Sequence, residues 1–423
     1  MDREPGRKLV VMGQGYVGIP LAMRAVEAGF RVVGFDVDKT RIDCLARGET
    51  FIEDVTDYDL TAALLTGSYL PTSDPVALSG FDVAVVSVPT PLRYGAPDLE
   101  AVRRAAAELG QHVTRGCCVI LESTTYPGTT EEVFIPALHA ESKLVAGQDF
   151  HVSYSPERID PGNPHWKFRS TPKLVSGLKE CCTRAAETFY RGIVDRVVPV
   201  AGIREAEAAK LLENTFRNVN IALVNEFAMC CHGLGIDVWE VIDAASTKPF
   251  GFMRFNPGPG VGGHCLPVDP TYLAWEVERD AGRQFRCVDI ANDINQHMPH
   301  YVVQRAIAHL NRQRKSINGS TVLLLGLAYK PNSGDLRESP AVEVAKLLAE
   351  LGAEVQAVDP LVDPANVPMC VGLIVPTADD LARADLVIVL TDHDEIDWSL
   401  VVSNEDRILD TRNKLRHLAV NRL

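Results

Sequence analysis

KLVVMGQGYVGIPLAMRAVEAGFRVVGFD, residues 8–36, reads as strand, glycine turn, helix and second strand. Lys8–Met12 is an apolar run that stops at a glycine, Ile19–Ala28 repeats apolar residues at helical spacing, and Arg31–Phe35 is apolar again. Within GQGYVG, Gly13 permits the tight turn, Gly15 lets the backbone approach a pyrophosphate, and Gly18 lets helix and strand pack closely. Tyr16 and Val17 belong to the same turn, and the helix behind it offers free N–H groups to an anion. Asp36 closes the second strand, 18 residues after Gly18. A carboxylate there accepts from both ribose hydroxyls and repels a 2′-phosphate. The expectation is a dinucleotide site for NAD rather than NADP.

The alternation continues beyond this unit. Strand candidates are Val83–Val88, Cys118–Glu122, His151–Tyr154, Lys173–Ser176 and Arg196–Val200, with helical segments between most of them. Short β-branched runs separated by helices imply a parallel, doubly wound sheet. From Glu205 to about Cys231, and again from Pro270 to Arg314 with a break near Gly282, the pattern is helical. Strands then return at Ser320–Leu325, Glu354–Val358 and Leu386–Leu390. The sequence echoes itself: STVLLLG and GAEVQAVD repeat the order of KLVVMG and GFRVVGFD, and ADLVIVLT repeats FDVAVVSV. The fold class is therefore α/β, two Rossmann-like doubly wound domains joined by a central all-helical segment. Boundaries are expected at 1–203 for the cofactor domain, 204–316 for the helical segment and 317–423 for the second Rossmann-like domain. The second turn, GLAYKP, lacks the glycine spacing and is assigned no second NAD.

Bulk properties narrow the function. The net charge of −14 over 423 residues argues against nucleic-acid binding, which needs a positive surface. No stretch has the roughly 18 consecutive apolar residues of a membrane span, and the N-terminus carries no apolar signal core. Ten cysteines, six of them in the adjacent pairs 117/118, 181/182 and 230/231, show no zinc-ligand spacing. The simplest reading is a reduced cytoplasmic protein without a bound metal.

Two further segments bear chemistry. In PGPGVGGHCLPVDP, residues 257–270, Gly262 and Gly263 leave room for a ligand beside Cys265. Asp269 and Pro270 read as the cap and first residue of a helix, which puts Cys265 just before a helix N-terminus that favours its thiolate. Such a cysteine is either a nucleophile or a small buried hydrophobe. In AEAAKLLENTFRN, Lys210 and Asn214 share a helix face. They read either as a solvated polar face or as a pair aimed at a developing oxyanion.

Taken together with SVPTP (87–91), ESTTYPGTT (122–130), SPERIDPGN (155–163) and YKPNSGDLRESPA (329–341), these motifs resemble the UDP-glucose/GDP-mannose dehydrogenase family over nearly the whole chain. The resemblance implies a four-electron oxidation of a sugar hydroxymethyl group to a carboxylate, with NAD as acceptor and no release of the aldehyde. It makes Cys265 the nucleophile of a thiohemiacetal and then a thioester. Lys210 and Asn214 would stabilise the oxyanion. Thr124 and Asp269 would place the hydrolytic water, and Glu157 would assist proton transfer. Arg41, Val88, Pro89, Thr90 and Thr124 would line the NAD cleft, Lys330 would contact the nucleotide sugar, and Arg337 would reach the NAD held by the N-terminal half. The family also implies a homodimer or higher homo-oligomer through the central helices.

Some positions depart from the UDP-glucose branch. Pro161, beside Asp160, stands where that branch has a second glutamate, His264 precedes Cys265, and Val268 stands where a lysine is common. These features are more similar to the branch acting on UDP-N-acetylhexosamines. They favour UDP-N-acetylglucosamine, with UDP-N-acetylmannosamine or UDP-glucose as alternatives, and Arg158 and Arg254 as candidate branch-specific contacts or surface ion-pair partners. Outside this reading stand a two-electron hydroxyacid dehydrogenase, which needs no cysteine, and a non-catalytic nucleotide-binding protein.

Overall fold

The computed structural model describes residues 6–423 except positions 53, 161, 162, 164 and 264, and it omits the side chains of 265, 403 and 404. The chain divides into two compact units. One runs to Glu213 and takes in Trp275–Arg283; the other comprises Asn214–Ala274 and Gln284–Leu423.

The first unit carries β1 (Lys8–Met12), β2 (Arg31–Phe35), β3 (Tyr69–Thr72), β4 (Val83–Val86), the hairpin strands β5 (Leu92–Arg93) and β6 (Ala96–Pro97), β7 (Cys118–Leu121), β8 (His151–Tyr154), β9 (Lys173–Gly177) and β10 (Val197–Pro199). Among the described residues, an eight-stranded sheet runs in the order β10-β9-β8-β7-β4-β1-β2-β3. Its order reverses between β1 and β4, so a crevice opens at the carboxyl ends of these strands, where the glycine turn lies. Helices α1 (Gly18–Glu27), α2 (Lys39–Ala46), α3 (Asp57–Leu65), α4 (Glu100–Gly110), α5 (Ile135–Ser142) and α6 (Glu180–Tyr190) connect the strands. Side chains of β1 alternate between the faces. Leu9 and Val11 join one buried cluster, Val10 and Met12 the other. Each fully buried Leu or Val contributes roughly 1.5–3 kcal/mol, so the sheet is held from both sides.

The sheet departs from the all-parallel expectation at one place. β8 and β9 pair antiparallel, with Tyr154 opposite Ser176, while the remaining neighbours in this sheet run parallel. A buried strand shows the same apolar run in either direction, so the sequence carried no direction signal here. The edge strand β3, YLPT, was not among the expected strands. Its place at the rim of the sheet is where a missing N–H is tolerated.

Helices α7 (Ile203–Leu234), α8 (Val238–Ser246), α9 (Cys265–Ala281) and α10 (Arg286–Arg312) follow. The expected helix start at Asp269–Pro270 is corrected: α9 opens at Cys265, and Pro270 lies inside it. Pro267 falls in the first turn, where helix N–H groups have no partner to lose. The Thr271 hydroxyl donates to the Pro267 carbonyl at 3.2 Å. Asp269 is therefore a residue of the second turn rather than a cap.

The second sheet, in the second unit, consists of β11 (Thr321–Leu325), β12 (Glu354–Val358), β13 (Gly372–Leu373), β14 (Leu386–Val389), β15 (Ile408–Asp410) and β16 (Asn421–Arg422), ordered β13-β12-β11-β14-β15-β16 and wholly parallel. The internal echo is exact in backbone terms at one turn. Gly13 (φ +94°) donates its N–H to Phe35 and Gly326 (φ +83°) to Val358, each at 2.8 Å. A methyl on Gly13 would sit 2.4 Å from the Ser87 carbonyl oxygen, and one on Gly326 2.3 Å from that of Thr391.

Candidate active site

The glycine turn fits a dinucleotide. A methyl on Gly18 would meet the Gly13 carbonyl oxygen at 1.8 Å, yet one on Gly15 would meet no atom of the chain within 4 Å. Gly15 is the point where backbone can be approached, and Gly13 and Gly18 make the approach possible. Val17, at the N-cap of α1, has no side chain that accepts from the first N–H groups. These donors suit a pyrophosphate. Tyr16 is half-buried against the core. Asp36 is buried. Its carboxylate accepts from the N–H of Gln14 (2.8 Å) and of Asp38 (3.0 Å) and from the Arg41 guanidinium (2.9 Å). Gln14 and Gly34 were missed in the sequence. Gln14 accepts from the Tyr69 hydroxyl at 2.7 Å, and a Cβ at Gly34 would collide with both of these side chains. A glycine inside a strand was the available signal.

Around this turn stand the other expected cleft residues. Val88 is half-buried, Pro89 exposed and Thr90 buried. Ser123 ties the loop after β4 to that after β7: it accepts from the Val88 N–H (2.9 Å) and donates to the Val88 carbonyl (2.8 Å). Thr124, next in the chain, is half-buried.

Glu157 is clamped. Its Oε1 accepts from the N–H groups of Arg158 and Ile159, each at 2.6 Å, and its Oε2 lies 2.8 Å from Lys173 Nζ. Lys173 is buried and also meets Glu122 at 2.9 Å, while Tyr190 donates to Glu122. Burial pushes the Glu122 carboxyl up, and Lys173 pulls the other way. Burial works against the Lys173 ammonium, but the two carboxylates outweigh it and hold it above its usual value. Arg158 pairs with Glu213 at 2.8 Å and donates to the Pro172 carbonyl at 2.7 Å, so it straps the same loop. Lys173, Glu122 and Tyr190 were not singled out in the sequence, since nothing local joins them.

Lys210 and Asn214 both lie on α7 and are buried. Asn214 donates to Asp269 Oδ2 at 2.5 Å. A set of bonded asparagines lies further along α7 within the second unit. Asn218 bonds Asn292 and Asn295, and Asn225 bonds Asn295 and accepts from the Gly258 N–H at 2.9 Å. These bonds tie α7 to α10 and to the glycine loop, and they were not read from the sequence. Gly262 and Gly263 approach a neighbouring segment closely. A Cβ on Gly262 would sit 2.6 Å from Tyr329 Cβ and 2.7 Å from the Glu338 carbonyl oxygen, and the Gly263 N–H donates to the Arg337 carbonyl at 2.9 Å. The cysteine loop is thus packed on the YKPNSGDLRESPA segment. There Arg337 grips buried Asp335 through two nitrogens, and Lys330 stands 5.9 Å from the Tyr329 ring centre. Arg254, exposed, pairs with Asp243 at 2.5 Å. Pro161, His264 and the side chain of Cys265 lie outside the described residues.

Residues 7–194, 204–297 and 323–417 match, in turn, the NAD binding, central and UDP binding domains of one family. The chain belongs to the UDP-glucose/GDP-mannose dehydrogenase family. It is accordingly an NAD-dependent UDP-sugar dehydrogenase, an oxidoreductase. This dehydrogenase is 39% identical to the UDP-N-acetyl-D-glucosamine 6-dehydrogenase of Pseudomonas aeruginosa, over 84% of this chain and 83% of that one. The solved UDP-D-ManNAc dehydrogenase of Pyrococcus horikoshii is 33% identical over 96% of this chain and 95% of its own, with a TM-score of 0.87. The UDP-glucose dehydrogenase of Pyrobaculum islandicum superimposes equally well (TM-score 0.87) at 27% identity, over 99% of this chain and 98% of that one. Among the described residues, no helix of the dehydrogenase is long and apolar enough to cross a membrane.

Proposed function

We propose that this dehydrogenase oxidises the 6-hydroxymethyl group of UDP-N-acetylglucosamine to the carboxylate, with Cys265 as covalent nucleophile. The observation that supports it best is α9 itself: it opens at Cys265 and, one turn later, holds buried Asp269 against Asn214. A thiol in the first helical turn is favoured as thiolate. The turn at Gly13, Gly15 and Gly18 with Asp36 would hold the NAD, which would supply the hydride acceptor for each of the two oxidation stages. Cys265 captures the aldehyde as a thiohemiacetal and carries the acyl group as a thioester after the second stage. Lys210 and Asn214 stabilise the negative oxygen, and Thr124 with Asp269 orients the water that cleaves the thioester. Glu157 accepts or returns the proton. Lys330 binds the nucleotide sugar, and Arg41 and Arg337 serve the NAD. Arg158 and Arg254 are the candidates for the N-acetylhexosamine preference, against the plainer role of ion-pair partners to Glu213 and Asp243.

A second reading, the mannosamine epimer, is supported by the relative from Pyrococcus horikoshii. The decisive test supplies UDP-N-acetylglucosamine, UDP-N-acetylmannosamine and UDP-glucose separately and counts NADH. Two NADH per UDP-N-acetylglucosamine, with kcat/KM highest for that sugar, is expected. One NADH per sugar, or full uronate production by Cys265→Ser, would remove covalent capture from the account.

Domain boundaries near 203/204 and 316/317 separate cofactor, helical and UDP-sugar regions. The nine described cysteines are free thiols, which supports a reducing, cytoplasmic setting. Phe216, Leu223, Phe227 and Leu234 lie exposed along α7 at alternating spacings of seven and four, and they support a homodimer through that helix.

A further inference from the structure

Of the adjacent cysteine pairs in the sequence, one joins a histidine in the first unit. His151 opens β8, and Cys181 and Cys182 occupy the first turn of α6. One ligand atom from each of the three lies within 4.8 Å of the others. Cys182 is buried, while His151 and Cys181 are half-buried. The Nδ1 atom of His151 is enclosed and has no hydrogen-bond partner among the described residues. A third cysteine, Cys118, is paired in register with His151 across β7 and β8.

We propose that His151, Cys181 and Cys182 form a binding site for one thiophilic divalent cation of the Zn²⁺ class. The donor set is soft, two sulfurs and an imidazole, which selects against Mg²⁺ and Ca²⁺. Tetrahedral coordination at about 2.3 Å to sulfur and about 2.1 Å to nitrogen places such donors roughly 3.6–3.8 Å apart, so closure requires shifts of about 1 Å or less. Coordination releases one proton from each thiol. Burial raises the Cys182 thiol, and the cation supplies the charge that replaces its proton. The half-exposed edge at His151 and Cys181 is the entry path and leaves the fourth position to water. Cys118 and His151 begin their strands, so the site lies at the end of the sheet opposite the glycine turn. It pins β8 to the start of α6 and takes no part in hydride transfer.

The test uses the reduced full-length protein. Zn²⁺ affinity is measured by competition with a chromophoric chelator, and Cd²⁺ reports bound thiolates by its charge-transfer absorbance. One equivalent per chain is expected to bind in the presence of excess Mg²⁺. Affinity should fall at least tenfold in His151→Ala and in Cys181→Ser, and the Cd²⁺ band should shrink in Cys181→Ser. Cys181 is half-exposed, which keeps that variant informative if Cys182→Ser fails to fold. Cys230→Ser and Cys287→Ser, both exposed thiols elsewhere, should bind as the parent does. Failure to retain one equivalent, or unchanged affinity in His151→Ala and Cys181→Ser, overturns the site.

Discussion

Lys173 Nζ lies 2.8 Å from Glu157 Oε2, so the carboxylate proposed for proton transfer is held by a buried ammonium rather than by solvent. The same ammonium serves Glu122 at 2.9 Å. Removing it strands two carboxylates that folding has already taken from water.

Lys173→Met is therefore expected to cost about 3–5 kcal/mol in denaturant unfolding, the usual consequence of breaking a buried pair from one side. Lys173→Arg should recover part of that loss. A cost below about 1 kcal/mol for the methionine variant would mean that the carboxylates find other partners.

The glycine turn separates folding from cofactor binding. Gly18→Ala forces a methyl to 1.8 Å from a backbone oxygen and should destabilise the fold by several kcal/mol, on the order of other overpacked positions. Gly15→Ala meets nothing of the chain, so its unfolding midpoint should stay near that of the parent. Its NAD affinity should drop at least tenfold in titration, because the methyl stands where the pyrophosphate approaches. Parallel losses of stability in both variants would contradict this division.

Glu207 gives a pH signature. Its carboxyl accepts from the N–H groups of Gly128 and Thr130 and from the Thr130 hydroxyl, and burial pushes it from the ordinary 4.5 up to about 7. A raised carboxyl binds its proton more tightly when folded. Its contribution is thus complete below about pH 4.5 and disappears as pH climbs through 7, a change on the order of 3 kcal/mol. Glu207→Gln is neutral throughout. The difference in unfolding free energy between parent and variant should change across this window and be flat above about pH 8. A constant difference from pH 4.5 to 7 would show that Glu207 titrates normally.

Leu223 is 61% exposed on α7. If this face joins two copies, Leu223→Asp loses about 1.5–3 kcal/mol of burial per side and adds like charges across a symmetric contact. Analytical ultracentrifugation should show the parent as a dimer and the variant shifted toward monomer at the same concentration. Identical sedimentation would shift the interface elsewhere.

The readable features share a property: each is set by residues close in the chain. A positive φ at Gly13 and the strand–helix alternation both follow from local sterics and periodicity, and so did the two Rossmann-like halves. What escaped depended on distant segments meeting. Lys173 meets Glu122 only because β9 lies beside β8 and β8 beside β7. The orientation of β9 was equally hidden, because alternation of side chains carries no sense of direction. Pro270 misled for a different reason. A proline is the standard mark of a helix start, yet here the helix opens five residues earlier, at Cys265, and runs on through Pro270.

The matched turns at Gly13 and Gly326 differ in what fills the bend. Both aspartates accept from the backbone of the turn, Asp36 from Gln14 and Asp359 from Leu327 and Ala328, but the side-chain partner is Arg41 in the first and His393 in the second. A lesion at Gly13 can be masked in part by saturating the protein with NAD, since ligand favours the native state. The equivalent lesion at Gly326 has no such remedy from that coenzyme, and the two halves would answer differently to the same cellular pool.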